Sequence, residues 1–248
     1  MKLFVIVIAL LSERFFVHRY SHKRFDWFSS YCQKIILTIE NKTSLHSGGL
    51  KLVVLVAPLL IGMAIILLAL NSLLYGFIIL ILNIIIFYYC LGPDNPFYPA
   101  HHRLSQANST VGYLADVNGQ LFAVIFWYIA LGPLGVIFYR VVSLAQKDAY
   151  FAEKAQELTT VLDWLPVRMT GLLYLLAGNF QSGLHYYTNF FFTKPANNQK
   201  MLRLCGFEAA GLSQAEPDNL PRAETLVEHA LLILLVLLAC FTLGNVII

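Results

Sequence analysis

The chain has 248 residues, of which 58% are hydrophobic and 12% charged, with a formal net charge of +3. Soluble domains carry roughly 25% charged residues, so half that share together with repeated apolar runs excludes an ordinary soluble domain. The small basic excess is what juxtamembrane lysines and arginines produce, and it gives no support to a nucleic-acid partner.

The N-terminal run MKLFVIVIALLSER sets Lys2 before nine apolar residues, as a signal peptide does. No A-x-A cleavage site follows, so the spacing predicts a retained helix. Its apolar part covers about 14 Å, too short to span a bilayer alone. Residues 12–51 hold seven Lys/Arg against three acids. Within them Phe25, Trp27, Phe28, Tyr31, Ile35, Ile36 and Ile39 recur at roughly helical spacing. That pattern predicts an amphipathic helix with an aromatic front, lying on the membrane or on the protein core. The basic excess assigns this loop to the cytoplasm.

Residues 50–70 and 73–92 are each long and apolar enough to span, and Asn71-Ser72 marks a tight turn between them. The two spans form a hairpin with both ends in the cytoplasm. Asn83, in the middle of the second, is expected to bond a neighbouring helix for about 0.6 kcal/mol. Residues 93–103 carry three prolines and a DNP turn signal. Residues 93–120 are expected to be a second cytoplasmic loop with an amphipathic helix. The adjacent His101 and His102 make a poor metal pair, because neighbours on a helix do not share a face.

Residues 121–146 read as a third span, either kinked or split into two half-helices at GPLG. Residues 147–160 look like a soluble helix, with Glu153, Lys154 and Glu157 on one side. Asp163 has the character of an N-cap, and Pro166 is tolerated in the first helical turn. The helix from Trp164 to about Ala177 is some 14 residues, roughly 21 Å, too short to span. It is expected as a half-helix in the protein interior, ended by Gly178-Asn179 as C-caps prefer. Residues 179–194 are aromatic and interfacial, 194–224 are expected to be an exposed loop, and 226–248 form the last span.

The expected architecture is therefore all-α: a single polytopic membrane domain over 1–248, with about four full spans plus short interfacial or half-membrane helices. Cys32, Cys90, Cys205 and Cys240 are scattered, with no CxxC pair and no histidine at ligand spacing, so they read as free thiols and no metal is expected. GxxxxGK[ST], GxSxG and HExxH are all absent. The polar groups flanking the broken and half-length helices are Asp116, Tyr139, Arg140, Asp163, Trp164 and Arg168. An ionisable residue at membrane depth is a functional candidate by default, and arginine's forked donors suit carboxylate or phosphate. The six are the candidate ligand site, and an anionic small molecule is the expected ligand. The alternative is structural: Asp163 caps, Arg140 anchors, and Arg168 pairs with Asp163 or Asp116.

FWYIALGPLGVIFYR and LDWLPVRMTGLLYLLAG resemble the AmpE family of bacterial inner-membrane regulatory modulators, as do LLSERFF near the N-terminus, the size and the apolar tail. More remotely these blocks are similar to the cobalamin-biosynthesis protein CobD/CbiB, a membrane amide-forming synthase. Those enzymes carry a Glu-Asn…Asp-Gly block where this chain has Leu114-Ala115-Asp116-Val117-Asn118-Gly119, so most of that polar pattern is missing. The resemblance implies a multi-pass inner-membrane protein linked to β-lactamase induction and cell-wall signalling. It implies no cofactor and no catalytic residue, and a membrane protein partner beside the lipid bilayer. The alternative is an adenosylcobinamide-phosphate synthase.

Overall fold

A computed structural model describes residues 2–16, 25–40, 48–71, 77–92, 110–212 and 219–247. Every regular element among them is helical. Three helices are long and apolar enough to cross a bilayer: Gly48–Leu70, Gly112–Ala145 and Leu220–Gly244. The chain is an all-α membrane protein. It divides into two compact units, Met1–Pro93 with Val124–Leu162, and Asp94–Ala123 with Asp163–Ile248. His101, His102 and most of the second expected loop lie outside the described residues.

The first unit is built from α1 (Lys2–Phe16), α2 (Asp26–Glu40), α3 (Gly48–Asn71), α4 (Phe77–Cys90), α6 (Ala123–Ala145) and α7 (Ala152–Leu162). The expected amphipathic helix is α2, which buries Phe28, Cys32 and Ile39 against Leu52, Leu55 and Val56 of α3 and Val141, Val142 and Leu144 of α6. Tyr31 Oη ties it to α3 by donating to the Leu55 carbonyl at 2.7 Å. On α7 the expected charged side carries Lys154 paired with Glu157 at 2.7 Å, while Phe151, just before the helix, and Ala155 are buried.

The second expected span is described as α4, 14 residues long. It packs on α1, which among its described side chains buries only apolar ones: Val5, Ile6, Ala9 and Leu10. That explains why the interhelical bond expected of Asn83 does not form: its Oδ1 is buried with no hydrogen-bond partner.

In α6 the GPLG signal is realised as a break. Gly132 takes φ 71°, ψ −154°, a backbone region open essentially to glycine alone. Pro133 follows and has no N–H to give the carbonyl four residues back. That carbonyl belongs to Ile129, and it accepts a 2.7 Å bond from Lys2 Nζ instead. An interrupted helix at membrane depth needs such substitute partners, and here the ammonium of α1 supplies one.

The second unit contains α5 (Thr110–Val117), a π-helical turn Asn118–Phe122, α8 (Trp164–Ala177), α9 (Phe180–Phe191), α10 (Asn198–Ala209) and α11 (Leu220–Ile247). The half-helix α8 has the bounds its sequence predicts and packs against α9, α10 and α11. Residues 194–224, expected as an exposed loop, are corrected by α10. Met201, Leu202, Cys205 and Ala209 form a buried stripe at helical spacing, hidden in the sequence by a polar average. Gly178 also departs from the expected left-handed cap, with φ −125°. Its role is close approach: a Cβ there would run into the Ala209 carbonyl, and the next N–H, of Asn179, bonds that carbonyl at 2.8 Å. Asn179 then caps α9, accepting from Ser182 N.

Candidate functional site

Among the six candidate residues, Tyr139 and Arg140 belong to the first unit, and Asp116, Asp163, Trp164 and Arg168 to the second. Tyr139 and Arg140 are both buried on α6. Arg140 Nε donates 2.7 Å to the carbonyl of Cys90, the last residue of α4. Asp116 is on the exposed side of α5. Asp163 occupies the N-cap position of α8, but with φ −75°, ψ −11° and no side-chain cap bond. A capping side chain needs the extended backbone that turns its oxygen back over the first turn. At Asp163 the backbone is helical, and its carbonyl accepts Val167 N at 2.9 Å as the ordinary first bond of the helix.

The second unit gathers its buried polar groups around α8. This helix is reversed relative to a soluble one. Leu165, Met169, Leu172 and Leu176, at spacings of four, three and four, are its exposed face, while Arg168, Thr170 and Tyr174 point inward. An apolar solvent outside and polar groups inside is the arrangement a bilayer imposes.

Arg168 is 3% exposed, and each of its five N–H groups has an acceptor. Nε donates to Phe191 O at 3.0 Å, one Nη to Trp164 O at 2.8 Å and Asn198 Oδ1 at 2.6 Å, and the other Nη to Phe190 O at 3.5 Å and Thr193 O at 3.1 Å. Its guanidinium carbon also lies 4.3 Å from the centre of the Trp164 ring. Every partner is neutral, and neither Asp116 nor Asp163 is among them. The charge is balanced instead by the open C-terminal end of α9, where the helix dipole is negative and the last carbonyls lack intrahelical donors. Trp164 Nε1 and Thr193 Oγ1 add bonds at the same end, to Thr193 O and Phe190 O. Both arginines therefore close the C-terminus of a short helix, Arg140 for α4 and Arg168 for α9.

Four polar residues outside the candidate set complete the interior. Thr170 Oγ1 donates to Asn118 Oδ1 at 2.8 Å, inside the π-helical turn. Tyr174 Oη donates to Leu114 O at 2.9 Å. Asn198 orients Arg168. A signal for Asn118 existed, since it stands in the block aligned with the enzymes' polar motif. Thr170 and Tyr174 follow Arg168 on one helix and were legible in principle. Asn198 had no sequence signal, because its KPANNQK surroundings read as exposed loop. No group of three or more His, Cys, Asp or Glu able to hold a metal occurs among the described residues.

A family model for the regulatory signalling modulator protein AmpE matches residues 114–248. That stretch begins within α5 and contains all six candidate residues. The cobalamin biosynthesis protein CobD of Chromobacterium violaceum is 30% identical over 78 residues, which is 28% of this chain and 25% of that relative. The match thus spans a quarter of the relative's length. No solved structure matches the chain.

Proposed function

The chain belongs to the AmpE family of regulatory signalling modulators, and from that premise we propose that it acts in the bacterial inner membrane, as a multi-pass protein, on β-lactamase induction and cell-wall signalling through a membrane protein partner. The observation that carries this reading is the state of Arg168. A catalytic or permanent anion site holds donors ready for its ligand, whereas all five N–H groups of Arg168 are engaged within the protein. The exposed face of α8 offers apolar side chains that a neighbouring membrane helix can pack against. An anionic ligand, such as a cell-wall fragment, fits this reading in one form. It would displace the C-terminal carbonyls of α9 from Arg168 and free that helix, converting binding into a change of shape.

The second reading, an amide-forming synthase, rests on the partial likeness to CobD. One experiment separates the two. A strain lacking the protein is complemented with the wild-type chain, and β-lactamase is measured after addition of a β-lactam inducer. The same membranes are assayed for amide formation on a corrinoid carboxylate. Restored induction without amide product supports the modulator. Amide product that depends on the chain, with induction unchanged by its loss, overturns it.

A further inference from the structure

The first unit holds a cavity of about 410 Å³ lined by Phe25, Asp26, Phe28, Ser29, Cys32, Leu144, Lys147 and Asp148. Its location follows from the packing around it. The core beneath it joins the first turns of α3 (Leu52, Leu55, Val56) to the last turns of α6 (Val141, Leu144, Ala145). Both helices belong to membrane-crossing segments, so the cavity lies where two spans end, at the depth of lipid headgroups. Its outer wall is the amphipathic helix α2, whose exposed Trp27 suits that interface.

The lining carries opposite charges that do not neutralise one another. Among the described residues, Lys147 forms no ion pair with Asp26 or Asp148, whereas Lys154 does with Glu157. Asp148 is held in place by its Oδ1, which accepts from Tyr150 N at 2.9 Å. Phe25, Phe28 and Leu144 give the cavity an apolar wall. A site with two carboxylates, one ammonium, a hydroxyl and an aromatic wall is complementary to a zwitterion attached to an apolar body. We propose that this cavity binds the phosphoethanolamine headgroup of a membrane lipid, its ammonium at Asp26 and Asp148, its phosphate at Lys147 and Ser29, and its glycerol end along Phe25, Phe28 and Leu144. Burial, and after it the nearby Asp148 carboxylate, push the Cys32 thiol up to about 11, so this wall of the cavity stays uncharged.

The test uses the purified full-length protein in detergent, reconstituted in turn with phosphatidylethanolamine, phosphatidylcholine or phosphatidylglycerol, with retained lipid counted by native mass spectrometry. Phosphatidylcholine keeps the charges but has no N–H to donate, and phosphatidylglycerol lacks the cation. Losing one charge-assisted hydrogen bond weakens binding about tenfold, so phosphatidylethanolamine should be retained about tenfold over each. Asp26→Asn with Asp148→Asn, which preserves the acceptor for Tyr150 N, should abolish that preference while gel-filtration and circular dichroism profiles stay unchanged. Lys147→Gln should weaken it separately. Free phosphoethanolamine that raises the melting temperature in lipid-free detergent, and does so only with Asp26 and Asp148 intact, supports the same site with a soluble occupant. Equal retention of the three lipids, or a preference that survives the double substitution, overturns the proposal.

Discussion

Arg168→Lys is the substitution on which the account of the second unit depends. Arginine presents five N–H groups on a planar fork, and lysine three on one nitrogen. The five acceptors of Arg168 come from α8, the end of α9 and the start of α10, so at least two lose their donor. Hydrogen bonds to charged groups contribute roughly 1.5 kcal/mol or more each, which puts the loss at about 3 kcal/mol. Against a typical stability of roughly 5–15 kcal/mol that is severe. The expected result is a lower melting temperature in detergent, together with faster chymotrypsin cleavage near Phe190, Phe191 and Phe192 as α9 frays. Inducing activity should fall in proportion to the protein level in membranes. Asn198→Ala should cost less, about 1–2 kcal/mol, and the two costs should not add. An Arg168→Lys protein with unchanged melting, cleavage and level would refute the clamp. Loss of induction at unchanged stability would instead assign the guanidinium to an anionic ligand.

Gly132→Ala meets no atom within 4 Å, so its cost is the backbone alone, about 1–3 kcal/mol; Gly62→Ala, also in open space but within regular α3, should be neutral or slightly stabilising in the same thermal scan. Lys2→Met should cost about 1–2 kcal/mol by leaving the Ile129 carbonyl without its donor. That cost should shrink when Gly132 and Pro133 are both replaced by alanine, because a continuous helix restores an internal donor. An undiminished cost would count against the carbonyl account. For Cys32 the folded-state value is raised to about 11, so the stability it contributes is complete below the ordinary thiol value near 9 and is lost as pH rises toward 11. Cys32→Ser should flatten that alkaline decline in a pH series of melting temperatures, and an identical decline would show that Cys32 does not contribute. Cysteines introduced at Ser47 and Ser105 should react with a membrane-impermeant maleimide from the same side, and opposite labelling would exclude the α3–α4 hairpin.

Composition and periodicity by themselves determined the membrane class, the all-α architecture, the bounds of α8 and the break in α6. These are local properties: apolar run length sets whether a helix can span, and a Gly-Pro pair interrupts it wherever it lies. The short α10 was not legible, since four buried apolar side chains among polar neighbours leave no strong average. Nor was the use of the charged groups. Spacing placed Arg140, Asp163 and Arg168 beside helix ends, and ion pairs and caps were the economical guesses. Tertiary structure decided otherwise, because a carbonyl left open at the end of one helix can be closed only by a donor brought from another. Lys2 reaches Ile129, Arg140 reaches Cys90, and Arg168 reaches the end of α9 across 22 to 127 residues of chain. No periodicity in the sequence records partners that far apart.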